Sequence, residues 1–538
     1  MKAWQRGLLI GAIVLLGIGE VAWIARSALA QARHDAELAQ AKQEAPRPLP
    51  APRKFTREEG YAFFAAAKKA EALADPLQSC LAYPDPPGSH WSRDAVRAYC
   101  HYRLQPTMTF AEVRELVQQG KSAELDRRLA AALHAQQTDP ASRGLLDRIY
   151  LKDFDNGSFD IRPTLDAWKR DSPRSAFAWA ASGTAYVAMA WRARGTAYIR
   201  DTPADQIEAM DRLLAQADND LRHAIALDPQ VTPAHHALIR AGRLGFGEAY
   251  TDAAIRAGLA AAPDNFSIYV DAIAAREPKW GGSLEAMDRL AAQAQAHAAA
   301  NPLLKILQSE RPYYEVANCD CTIAEALGAY PRALGELSAK GYLAHVGTLA
   351  DDHHDEAVAG VYLSEALRFE PGRSEWRIRR SRALVDFDEG AWAVADLGRV
   401  LSGSPRDADA LAARGYAYTM QSDFTHAERD YRAVLAIRPG DVGTLLRLAD
   451  LFVNLGHDWD KGWAVANQLI REQPNRPEGW LLRANIQDRQ PRAGLDVTAD
   501  ELEARFGKDP QMAKIILDIR ARVALRKSSG IDARRGAP

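Results

Sequence analysis

The sequence predicts an all-α chain: tandem helix–turn–helix hairpins stacked into a solenoid, preceded by a single N-terminal transmembrane helix. Three observations carry this. Prolines recur at a nearly constant interval, small residues stand at fixed places between them, and the chain starts with a long apolar run.

Met1–Arg6 is short and basic, and Gly7–Ala25 is apolar apart from Glu20, long enough to cross a bilayer as a helix. Ser27-Ala28-Leu29-Ala30 resembles a small-residue cleavage site, so residues 1–30 read as a signal-anchor or a signal peptide. The short basic head and signal-like order favour a single-pass membrane protein with its body outside the cytoplasm. Residues 31–56 run from an Ala/Gln/Glu stretch to Pro46, Pro48, Pro50 and Pro52, the composition of a helical stalk and a stiff extended spacer.

The body carries the repeat. Pro371, Pro405 and Pro439 are 34 residues apart, Pro474 follows after 35, and Pro229 and Pro263 are again 34 apart. Ten residues after each of the four C-terminal prolines the site is small: Ser381, Gly415, Ala449 and Ala484. Only a small side chain lets two helices approach closely there. Leu384, Tyr418 and Phe452 follow three residues later, and Gln487 breaks that pattern. On the second helices Ala393 and Ala427 precede Leu397 and Tyr431, with Ala466 displaced by one residue. Upstream, Gly347 and Leu363 fit the same template. Gly183 matches Leu221 only if about twenty-two residues are inserted between the two helices.

These residues resemble the tetratricopeptide repeat (TPR), most cleanly from Asp407 to Pro439. The resemblance implies an α-solenoid in which first helices line a concave face. The lining positions it implies include Arg382, Asp409, Tyr416, Thr419, Leu446, Asp450, Glu478 and Asn485, and the charges of the lining are mostly acidic. The expected partner is therefore a protein segment, extended and neutral or basic. The formal net charge is -2, from 68 Lys and Arg against 70 Asp and Glu, which gives no electrostatic case for nucleic acid.

Trp168, Ser172-Pro173, Trp191-Arg192-Ala193-Arg194-Gly195 and Pro278-Lys279-Trp280-Gly281-Gly282-Ser283 also resemble a bacterial family, the domain of unknown function DUF4034. The resemblance implies a bacterial source, and so a bacterial inner-membrane anchor with a periplasmic body, but no activity. The expected organisation is an anchor over 1–30, a linker over 31–56, a DUF4034-like helical domain with divergent repeats over 57–337, a TPR array over 338–490, and capping helices and tail over 491–538.

Trp191, Arg192, Arg194 and Trp280 form a candidate ligand site, because guanidinium groups beside indoles can hold a carboxylate while stacking. Cys80 and Cys100 flank a proline-rich segment and read either as a disulfide or as buried thiols. Cys319-Asp320-Cys321 lacks the second ligand pair that a structural zinc site needs, so no metal is expected. His235 and His236 read as one packed and one solvated ring. No phosphate loop, nucleophile elbow or zinc-protease motif occurs. The expected function is a membrane-anchored scaffold or adaptor without a catalytic residue or cofactor. The alternative is an enzyme or small-ligand-binding protein whose site lies within 57–337.

Overall fold

The computed structural model describes residues 49–197, 201–490 and 492–528. The expected membrane helix, residues 31–48 of the linker and the end of the tail lie outside the described residues. Among the described residues every regular element is helical, and none is long and apolar enough to cross a membrane. The chain forms two units. Among the described residues, one comprises 49–54 and 73–342, and the other 55–72 and 343–528.

In the C-terminal unit the repeats are pairs of helices, and five of these helices start on an aspartate side-chain cap. Asp355, Asp423 and Asp458 cap the second helices Glu356–Phe369, Phe424–Ile437 and Trp459–Glu472. Asp407 and Asp441 cap the first helices Ala408–Met420 and Val442–Asp450. Each carboxylate accepts a backbone N–H that the helix leaves unpaired. The hairpin turns share one device: His354, Asp388, Ser422 and His457 all have positive φ. A left-handed residue there reverses the chain, and the polar side chain tolerates it.

Packing explains the small positions. A Cβ on Gly347 would press on Leu363, and one on Gly415 on the Tyr431 ring; both pairs lie 16 residues apart. Ala449 and Ala484 are buried at the equivalent places, as is Ser381, whose hydroxyl donates to Ile378 O at 2.6 Å. The extra residue of the last interval has a visible location. The π-helical turn Leu451–Leu455 closes with Gly456 N–H donating to Leu451 O, a bond spanning five residues in place of four. Gln487, the polar break in the pattern, is buried and satisfied: its amide donates to Ala493 O at 2.9 Å and its oxygen accepts from Thr498 at 2.8 Å. Those bonds seat the helix Leu495–Phe506. Together with Pro510–Ser528 it covers Trp480 and Ala484 and closes the array.

One element departs from the expected organisation. The helix Arg57–Glu71 packs in the C-terminal unit and not with residues 73–342. Its Phe64 meets Phe387 at 4.9 Å and presses on Gly360, where a side chain would collide with the ring. Its Glu71 accepts from the Arg380 guanidinium at 2.6 Å. Arg380 is 0% exposed and also pairs with Asp396, itself 0% exposed. The same pairing recurs one repeat later, Arg414 gripping Asp430 through two bonds of 2.6 and 2.9 Å. Docking of a distant helix leaves no trace in a 34-residue period, which is why sequence periodicity assigned residues 57–72 to the preceding domain.

The other unit has its own core around Tyr150, Phe154 and Trp168, all fully buried. Its longest hairpin joins Ala176–Arg194 to Ala204–Leu227. Gly183 meets Leu221 there, 38 residues on, so the contact seen in the C-terminal repeats persists while the inserted residues lengthen both helices. Asp220, one residue before Leu221, accepts from Lys169 at 2.9 Å and Ser182 at 2.5 Å. Buried Asp147 accepts from Asn265 at 2.6 Å and from Thr232, joining three helical segments. Cys80 and Cys100 are joined in a disulfide between Pro76–Ala82 and Arg93–Leu104. Cys319 and Cys321 are bonded to each other. Both His235 and His236 are buried, which corrects the expectation of one solvated ring.

Two outcomes follow from these buried charges. Arg380→Ala should destabilise the C-terminal unit by about 1–3 kcal/mol, because Asp396 and Glu71 lose their buried partner, while Arg377 and Arg399 still meet Asp396. Denaturant unfolding of the variant measures this, and a change within surface-mutation range contradicts it. Glu310 is buried, and burial first, then repulsion from Glu277, pushes its carboxyl up to about 7 against the opposing Tyr342 hydrogen bond. The folded state thus holds the proton, so this group's stabilisation is full below pH ~4.5 and is lost as pH rises through about 7. Glu310→Gln should flatten the fall in thermal midpoint over that window.

Candidate functional site

First helices of successive repeats line a cavity of about 1020 Å³ in the C-terminal unit. Ser374–Asp386 contributes Ile378, Arg379 and Arg382; Ala408–Met420 contributes Asp409, Ala412 and Tyr416. Asp351 closes one end and Arg447 the other. Of the expected lining residues, Arg382, Asp409 and Tyr416 face this cavity. Thr419, Leu446, Asp450, Glu478 and Asn485 lie outside its lining. Thr419 turns inward, its hydroxyl donating to Gly415 O at 2.9 Å. Leu446 is exposed beside the cavity, Asp450 accepts from Asn454, and Glu478 pairs with Arg476. Asn485 is exposed farther along the array.

The cavity is far less acidic than expected. Asp351, Glu375, Asp407 and Asp409 are balanced by Arg379, Arg382 and Arg447. Arg379 and Arg447 stand eight residues after their prolines, one helical turn beyond the fourth position, on a stripe wider than the four positions considered. Two of the acids are also neutralised by close ion pairs. Asp351 is nearly buried and held by Arg379 at 2.9 Å and Arg382 at 3.4 Å. Asp409 pairs with Arg438 at 2.7 Å. Beside the cavity, burial pushes Glu356 up to about 7, with Arg382 opposing and Asp351, Asp386 and Asp355 reinforcing the shift. Among the described residues Arg447 forms no ion pair; its guanidinium lies 5.0 Å from the Tyr416 ring centroid. The arrangement is a polar trough with one aromatic platform, suited to contact with a chain.

The second candidate set is divided by the structure. Trp191 and Trp280 meet edge to face at 5.6 Å, and the Arg194 guanidinium lies 5.7 Å from the Trp280 centroid. Arg192 is exposed and reaches Gly157 O at 3.4 Å, because residues two apart leave a helix in opposing directions. Arg243 takes the place expected for it, 5.4 Å from each indole. It sits on the π-helical turn Gly242–Phe246, for which the sequence carries no periodic signal. Trp280 is placed by the turn foreseen from its glycines. Gly281 has φ +85°, and Ser283 caps Leu284–Gln295 by accepting from Ala286 N–H at 3.2 Å.

No curated protein matches this chain. Among solved structures, a tetratricopeptide repeat protein from Parabacteroides merdae is 18% identical with a TM-score of 0.30, covering 47% of this chain and 98% of that one. Yeast Tom70 is 12% identical with a TM-score of 0.31, over 89% of this chain and 97% of that one. The TPR domain of P58(IPK) is 13% identical with a TM-score of 0.21, over 75% and 98%. Residues 109–250, which include Trp168 and the lengthened hairpin with Trp191 and Arg194, match the model of the family described as Domain of unknown function (DUF4034).

Proposed function

We propose that this chain is a non-catalytic scaffold whose C-terminal unit binds a neutral or basic segment of another protein in the cavity between Asp351 and Arg447. The observation that carries this reading is the cavity itself: first helices from successive repeats share one trough, and Tyr416 lies in it against Arg447. A half-buried tyrosine supplies apolar area with little side-chain entropy to lose, the property of an anchor residue. The internally paired acids favour a neutral segment, with a basic one gaining from Glu375 and Asp407. The body would stand in the bacterial periplasm, tethered by Gly7–Ala25. Support comes from that apolar run and from the Cys80–Cys100 disulfide, which an oxidising compartment preserves.

The test is fluorescence anisotropy of the full chain with extended peptides of net positive, neutral and net negative charge. Neutral and positive peptides should bind more tightly than negative ones. Tyr416→Ala should weaken that binding by about tenfold or more, the cost of a typical hot-spot aromatic. Tighter binding of the acidic peptides, or affinity unchanged by Tyr416→Ala in a folded sample, contradicts the proposal.

A further inference from the structure

The cluster around Trp191 and Trp280 is chemically one-sided. Trp191 Nε1, Arg194 Nε, Arg240 Nη1 and Arg243 Nε are all buried, and among the described residues none has a hydrogen-bond partner. Every one of these atoms is a donor. Arg194 is 8% exposed and has neither a hydrogen bond nor an ion pair among the described residues; its contact is the Trp280 ring. A guanidinium withdrawn from water costs several kcal/mol unless an acceptor meets it, and an indole face offsets only part of that. The carboxylates around the cluster are engaged elsewhere or stand off. Asp155 pairs with Arg240 at 3.0 Å, Glu277 pairs with Lys279 at 2.7 Å, and Asp271 stands 3.3 Å from His236. None of them forms an ion pair with Arg194 or Arg243. Trp191, Arg243 and Trp280 are each partly exposed, so the buried donors border a face open to solvent.

We infer that Trp191, Arg194, Arg243 and Trp280 form a binding site for a small carboxylate-bearing ligand with a planar apolar body. The carboxylate supplies the acceptors that the guanidinium groups lack, in the forked geometry that pairs them best. The planar body packs against the indoles, whose edge-to-face arrangement leaves ring surface for stacking. The insertion that lengthens Ala176–Arg194 brings two of the four residues to this place, and the Gly281–Gly282 turn brings the third. The site is independent of the cavity in the C-terminal unit.

Isothermal titration calorimetry of the full chain with benzoate, inorganic phosphate and benzamide tests this. Benzoate should bind saturably at one site, and its uncharged isostere benzamide should not. Arg194→Met and Arg243→Met should each weaken benzoate by about tenfold or more, the loss expected for a charged hydrogen-bond partner. Methionine keeps the buried volume, and circular dichroism checks the fold. Arg194→Lys, which keeps the charge but not the fork, should also weaken binding. Absence of saturable benzoate binding overturns the site, as would occur if Asp271 or Glu277 met Arg243 in solution. Phosphate binding without benzoate binding overturns the carboxylate class. Equal benzoate affinity in the wild type and the folded methionine variants overturns the residue assignment.

Discussion

The close approach of two helices within each repeat sets the geometry of both units. Gly183, Gly347 and Gly415 each accept a large residue, Leu221, Leu363 or Tyr431, at a distance that a side chain would forbid. A helix pair brought this near buries a continuous apolar stripe, and stacking such pairs extends the core without a centre. The contact also fixes register, since the large residue enters only where the small one yields. The variations preserve it: a long insertion between Gly183 and Leu221, and one extra residue taken up by the π-helical turn Leu451–Leu455.

Charge is placed around that contact in a regular way. Asp220, Asp396 and Asp430 each precede the large residue, and each is met by cations or hydroxyls from a neighbouring helix. Arg380 extends the pattern to a helix more than three hundred residues earlier in the chain through Glu71. Burying such groups gains little stability over an apolar core, but a misplaced helix would strand a charge, so the pairing penalises wrong docking. The helix Arg57–Glu71 is thereby specified as part of the C-terminal unit.

Much of this was legible in the sequence, because it depends on local spacing. Proline intervals and small residues gave the hairpins, and Ser283 with its glycines gave the capped turn before Leu284. Three features were not legible, each from long-range contact. Residues 57–71 dock by side-chain complementarity that no period records. Arg243 joins the tryptophans from a turn with no motif. The cavity's near-neutral charge came from Arg379 and Arg447, on a flank of the helices that the repeat template does not mark. The paired Arg380–Asp396 and Arg414–Asp430 could have been found, since they recur at the repeat length.

The scaffold account stands on one face of the array meeting a partner. Site-specific photo-crosslinking in the full-length protein in its native cells compares that face with the opposite one. A photoreactive residue would replace Tyr416 in the cavity or, separately, Arg432, which is exposed on a second helix. The account predicts a discrete crosslinked protein from position 416 and none from position 432. A crosslink from 432 alone, or equal crosslinking from both, would contradict it.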